Sequence, residues 1–194
     1  MASLPSHALI GLGLYRLAEG RAPASQAGLK ASLILSCLPD ADALFMTWIP
    51  YEHPLGHRGF THSLCFAVLA GLVAARLLKG LTGFRPLPLA LLLAAVTASH
   101  GLLDAMTDGG LGIAFFCPFD NTRYFLPWDP IPVSPLGGGG ILSPYMLRVI
   151  GWEALLLWPL ALWMGTVRSK APAWLKVVSW ILLAASVWAW RIRL

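Results

Sequence analysis

The hydrophobic positions of this chain fall into runs rather than into alternations. Four runs are long, at about 62–78, 87–106, 147–167 and 174–190, and each approaches the roughly 20 residues that carry a helix through hydrocarbon. Two shorter runs, at about 5–18 and 28–38, fit short spans, tilted segments or helices shielded by the other four. The pattern predicts an all-α integral membrane helical bundle of four long transmembrane helices preceded by two shorter ones. Pro39, Pro50 and Pro54 punctuate the stretch between the second and third runs. The connection at about 107–146 holds six prolines and the glycine run 137–140. It is too long for a plain linker inside a compact domain, so it reads as a structured cap. No polar linker divides the chain, and one domain over 1–194 is expected.

Composition supports the bilayer as the solvent. The chain is 57% hydrophobic and only 12% charged, with a mean hydropathy of +0.69, far from the average of soluble domains. Nine tryptophans, many near the ends of apolar runs, suit the interfacial belt. The net charge of +5 comes from Lys and Arg scattered singly between runs. That scatter argues against nucleic acid as a partner and for attraction to anionic membrane lipid. Cys37, Cys65 and Cys117 are too widely spaced to indicate a disulfide framework or a thiolate metal site. The stretch Ala8 to Leu14 lacks a basic flank and is interrupted by Arg16. It is therefore expected to stay in the mature chain rather than serve as a cleaved signal.

If all six runs cross, Arg16, Arg21, Lys30, Arg76, Lys79, Arg85, Arg168, Lys170 and Lys176 share one side. Arg58, Arg123, Arg148, Arg191 and Arg193 share the other. The positive-inside rule puts the first group in the cytoplasm. His7, Asp40, Asp42, His57, His62, His100 and Asp104 then meet at one membrane face, the outer one.

His100 and Asp104, in TASHGLLDAMTDGG, are four apart and lie one turn from each other on one helix face. That spacing suits two ligands of one metal, and equally a packing pair. Ionisable groups inside a membrane helix favour function, since each is costly there unless paired, wet or coordinated. HRGFTHS, residues 57–63, adds two imidazoles and an arginine. His57 and His62 stand about 140° apart on an ideal helix, so both reach one centre only if the helix starts between them; His62 is the better ligand of the two. Arg58 offers a fork of donors to a phosphate or carboxylate of a substrate, or to a lipid headgroup. PDAD, residues 39–42, sets Asp40 and Asp42 at alternate positions after a proline, as ligands, as a proton acceptor or as helix caps. His53 reads as surface. Glu153, inside the fifth run, needs a partner, either Arg148 or a group in the site. Four segments thus deliver His and Asp to one end of the bundle, a set that suits Zn²⁺, with Mn²⁺ or Fe²⁺ as alternatives.

The order His7, PDAD, HRGFTHS, HGLLD and then CPFDNTRYFLPWDPIPVSP at 117–135, with Glu153, Trp158 and Pro159, resembles bacterial inner-membrane-associated metal-dependent hydrolases of the YdjM type. A more distant likeness is to the helical zinc phospholipase C and nuclease group. That likeness implies one metal held by Asp40 or Asp42 with His62, His100 and Asp104, and a neighbouring one held by His7 with Asp104. No histidine follows His100, so one or two ions are implied rather than three.

The resemblance implies hydrolysis, and the location of the site at headgroup depth argues for a phosphoester or lipid-type substrate at the membrane surface. Asp40 or Asp42 would take the proton of a metal-activated water, and Arg58 or Arg123 would bind the substrate and its developing charge. KGLTGFRP, residues 79–86, resembles the basic motif of metal-free lipid phosphatases, but it lies at the opposite end of the helix from His100, and HExxH is absent. The alternative is a non-enzymatic membrane protein, a metal transporter or a scaffold with a structural metal. A transporter would set its ionisable groups near the bilayer midplane.

Overall fold

The structure is a computed structural model that describes residues 1–20, 25–134 and 143–192. Arg21, Pro135, the glycine run 137–140 and Arg193 lie outside the described residues, as does the side chain of Arg191. Among the described residues seven α-helices carry the fold: α1 Leu4–Glu19, α2 Gln26–Cys37, α3 Leu64–Leu77, α4 Pro86–Asp104, α5 Pro144–Leu156, α6 Trp158–Thr166 and α7 Ala173–Ile192. Two 3-10 segments, Leu38–Phe45 and Phe60–His62, lie between α2 and α3. Among the described residues the only extended pairing is two isolated bridges, Thr107 with Ile131 and Ile113 with Tyr124.

Local chemistry sets the helix starts. Pro5, Pro86 and Pro144 each occupy the first turn of a helix, where a missing N–H costs nothing. Ser25, Ser63 and Ser143 cap α2, α3 and α5 by accepting from Gly28, Phe66 and Met146 N–H. Pro159 cannot donate to Leu155 and its ring crowds that carbonyl, so the apolar run 147–167 is broken into α5 and α6 at Leu157.

Three stretches are long and apolar enough to cross a membrane: Pro86–Asp104, Pro144–Thr166 and Ala173–Trp190. The expected fourth is shorter than its apolar run. Ser63 caps α3 and Leu78 ends it, leaving 14 residues, or about 21 Å of helix. His62 belongs to the preceding 3-10 turn, not to a span.

α4 is the central post. Leu89, Leu93 and Val96 are buried with Tyr15 of α1, Leu35 of α2 and Ala75 of α3. α3 comes close enough to α4 that a Cβ at Gly71 would sit 2.6 Å from the Ala90 carbonyl oxygen, the small-residue packing on which membrane helices depend. A second core joins Ile10, Leu103, Leu156, Ala161 and Met164. Val68, Leu72, Val73 and Leu77 of α3 and Val177, Ile181 and Trp188 of α7 face outward, as expected where lipid is the solvent. The stretch 107–134 folds back over the end of α4: Leu126 N–H donates to Ala105 O, Ile131 N–H to Met106 O and Ser134 N–H to Met1 O.

Candidate metal centre

The last turn of α4 presents His100 and Asp104 to a space closed by α1, α2 and the two 3-10 segments. His100 Nδ1 lies 2.7 Å from the Ser36 carbonyl oxygen at the end of α2. A carbonyl can only accept, so the ring proton sits on Nδ1 and the Nε2 lone pair is free. That lone pair points at Asp40 Oδ1, 3.2 Å away. Asp104 is central. Its Oδ1 accepts from Ala2 N–H at 2.7 Å and lies 3.3 Å from His7 Nε2. Its Oδ2 lies 3.4 Å from Arg58 Nε, 3.7 Å from His62 Nε2 and 4.0 Å from His100 Nε2.

The Leu38–Phe45 segment winds at three residues per turn, so residues two apart diverge by about 120°. Asp40 and Asp42 therefore straddle His62 instead of sharing one direction. His62 Nε2 is 3.6 Å from Asp40 Oδ1, and its Nδ1 is 3.2 Å from Asp42 Oδ2. Thr61 Oγ1 donates to Asp42 Oδ2 at 2.5 Å and lies 3.0 Å from His62 Nδ1. Both neighbours of Nδ1 are thus acceptors, and His62 too turns a bare Nε2 inward. His57 Nδ1 lies 2.6 Å from the other Asp42 oxygen.

What remains at the centre is a set of lone pairs. Asp40 Oδ1 and Oδ2, His62 Nε2, His100 Nε2 and Asp104 Oδ2 are buried without a hydrogen-bond partner. One ligand atom from each of these four residues lies within 4.8 Å of the others. Buried polar atoms are ordinarily satisfied, and lone pairs aimed at one another require a proton or a cation between them. Two imidazole nitrogens and two carboxylates could hold a metal ion.

The electrostatics point the same way. Burial pushes His62 down, but the Asp40 and Asp42 carboxylates outweigh it and hold the imidazole at about 9. Burial pushes Asp42 up, but His57 and His62 hold it at about 2. Asp40 is likewise raised by burial and brought well below the usual carboxylate range by His100 and His62. In the metal-free protein the centre thus attracts positive charge strongly enough to keep a proton on a fully buried imidazole.

The predicted residues divide. Asp40, His62, His100 and Asp104 share one centre; Asp42, His57 and His62 form an adjoining group. α3 begins after both His57 and His62, which removes the angular conflict expected of an ideal helix. His7 stacks on His100 with ring centroids 3.7 Å apart, and neither of its nitrogens has a hydrogen-bond partner. Arg58 is not turned to solvent as a substrate anchor. It is 1% exposed, with Nε on Asp104 and donations to Gly109 O and Thr107 Oγ1. Its positive φ of 63° re-aims the chain inward at a conformation uncommon outside glycine. A Cβ at Gly110, itself at φ +93°, would sit 2.4 Å from the Arg58 guanidinium. Arg123, half-buried, donates to the carbonyls of His57 and Tyr51 and lies over the Tyr51 ring; it holds the His57 loop. His53 is exposed. Glu153 does not take Arg148. It accepts from Ser3 N–H at 2.7 Å, from the Ser3 hydroxyl and from Ser6 Oγ at 2.8 Å. Sequence reasoning missed the Ser36 carbonyl, Thr61 and the Ala2 N–H; main-chain groups leave no signature, and a hydroxyl beside His62 was the one available hint.

Comparison with known proteins agrees with the membrane reading. The chain matches the YdjM inner membrane protein family over residues 1–192. It belongs to that family. The inner membrane protein YbcI of Escherichia coli (strain K12) is 39% identical over 133 residues, 67% of this chain and 76% of YbcI. No solved structure matches it. The YdjM match includes every segment that supplies the centre, from His7 to Glu153, and the family's inner-membrane description accords with three helices long enough to span.

Proposed function

We propose that the chain is a membrane-bound hydrolase built on one divalent metal ion, zinc in first place, held by Asp40, His62, His100 and Asp104 at the outer face of the inner membrane. The observation that carries this reading is the convergence of buried, unpartnered nitrogen and oxygen atoms from four segments. Charge counting supports a single ion. Among the side chains, Asp40, Asp42 and Asp104 face one buried cationic group, Arg58, so one divalent ion with neutral imidazoles brings the side-chain charge of the centre to zero. The adjoining group needs no second ion, because both Asp42 oxygens already accept from Thr61 and the imidazoles. Asp42 and His57 act through His62: a carboxylate behind a ligating imidazole fixes its tautomer and raises its basicity.

A divalent ion in such a set lowers the pKa of a water and polarises a phosphoryl or carbonyl oxygen. The proton acceptor is then His7, whose Nε2 lies 3.3 Å from Asp104 Oδ1, whose ring stacks on His100 and whose Nδ1 has no partner. Asp42, with both oxygens engaged, is the weaker candidate. Arg58 neutralises Asp104, and Arg123 keeps the His57 loop in register. Location at headgroup depth favours a phosphoester or lipid-type substrate, reached past Asp40 and Asp42, which retain 8% and 7% exposure.

The test is hydrolysis of phosphodiester and phospholipid substrates in mixed micelles by protein loaded with zinc, manganese or iron. His7→Ala is expected to keep its metal and lose turnover by about 10²-fold or more. Stoichiometric metal with no ester cleaved would overturn the hydrolase and favour a structural metal in a scaffold. Full activity in His7→Ala would overturn the assigned acceptor.

A further inference from the structure

A groove of about 690 Å³ runs along the membrane-embedded flank, away from the metal centre. The break at Leu157 splays α5 from α6, and α1, α5, α6 and α7 all contribute walls. Leu9, Leu12, Leu155, Leu162 and Leu182 make it apolar, and Gly165 leaves it wide: a Cβ built there meets nothing within 4 Å. Its single charged lining residue is Arg16, at the end of α1 away from His7. Nine residues separate the two, about 13 Å of helix.

That end of the groove carries surplus positive charge. Arg16 Nη1 lies 3.2 Å from Glu19 Oε2 and the side chain remains one-third exposed. Glu19 is itself shared, since its other oxygen accepts from Ser25 N–H at 2.7 Å. Arg168, two residues beyond the groove-lining Thr166, is exposed; it donates to Leu17 O at 3.3 Å and its guanidinium lies beside Gly20. That end thus holds two guanidinium groups and one buried carboxylate, which pairs with Arg16. Exposed Lys170 and Trp174, 66% exposed, follow at the start of α7, the residue types that sit at a membrane interface.

We propose that this groove binds one anionic phospholipid, its acyl chain between α1, the α5–α6 break and α7 and its phosphate against Arg16 and Arg168. The shape takes a chain of methylenes and the cationic end selects the headgroup. A zwitterionic lipid would bring its own cation against two arginines. The site lies in the leaflet opposite the metal centre, so it is a structural or regulatory lipid site rather than the substrate's, and it does not depend on the hydrolase reading.

The experiment is native mass spectrometry of the full chain released from detergent containing equal phosphatidylglycerol and phosphatidylcholine. Wild type is expected to retain one phosphatidylglycerol in preference to phosphatidylcholine. Gly165→Leu, whose Cβ meets nothing within 4 Å and whose side chain occupies the groove, is expected to lose it. Gly151→Leu, equally free of neighbours but outside the groove, is expected to keep it. Arg16→Gln and Arg168→Gln should each lower the preference about fivefold, the contribution of one basic side chain near an anionic headgroup. Equal retention of both lipids by wild type, or undiminished phosphatidylglycerol in Gly165→Leu, would overturn the proposal.

Discussion

Removing the Arg58 guanidinium tests the charge count at the centre. Arg58→Met keeps the apolar stem but leaves Asp104, 3.4 Å from the lost Nε, with no fixed counter-charge. At an effective dielectric near 20, the direct attraction at that separation is about 5 kcal/mol. Breaking a buried pair by deleting one partner costs about 3–5 kcal/mol. For a chain of this size, each kcal/mol moves the unfolding midpoint by about 2–4 °C, so chelator-treated Arg58→Met should melt about 10 °C below chelator-treated wild type. Saturating zinc should recover much of that loss, because the divalent ion supplies the missing positive charge. The gap between metal-free and metal-loaded midpoints therefore widens in the variant. In the metal-free state, Asp104→Asn added to Arg58→Met should restore most of the stability, since a pair removed together leaves no uncompensated charge. The assay is thermal unfolding in detergent at one scan rate, with and without metal. A shift under about 2 °C for Arg58→Met, or a zinc-induced gap narrower than that of wild type, would refute the charge balance.

Three further outcomes follow from the same contacts. The His62 imidazole, held at about 9 when metal-free, must lose its proton to bind metal. Apparent affinity, followed by competition with a chelator, should therefore rise about tenfold per pH unit between pH 7 and pH 9. In the metal-free protein the raised His62 pKa adds stability that is fully present below pH 6.5 and fades as pH rises through about 9; His62→Ala should flatten that slope in thermal unfolding. Glu153→Ala removes the acceptor for Ser3 and Ser6 and should cost about 2–3 kcal/mol, read by thermal unfolding, with faster amide exchange at Ser3. Gly110→Ala, strained at φ +93° and 2.4 Å from Arg58, should destabilise by about 2–4 kcal/mol and lower metal affinity, read by melting and chelator competition.

The helices long and apolar enough to cross a bilayer and the residues that converge at one end were legible because both depend on signals carried by single positions. Apolar runs report spans directly, and His100 with Asp104 reports a shared face through the helical repeat alone. Reading failed where hydropathy ignores chain punctuation: the third run extended through His62 and Ser63, although Ser63 is the cap that starts α3. Pro159 was visible, yet run length alone hid the α5–α6 break. Partners far apart in sequence were out of reach. Glu153 is satisfied by Ser3 and Ser6, some 150 residues away, and no spacing rule joins them. The inward turn of Arg58 onto Asp104 was out of reach as well, because a positive φ at a non-glycine residue has no sequence signal. The alternate spacing of PDAD does not tell its two aspartates apart; the 3-10 twist sends Asp40 to the centre and Asp42 behind His62.

The most direct test of the central claim is the metal content of detergent-purified protein by elemental mass spectrometry, comparing wild type with His100→Ala and Asp104→Ala. One equivalent of zinc, manganese or iron in wild type, lost in both variants while they remain folded, is the predicted result. Well-folded wild type that stays metal-free after supplementation would contradict it.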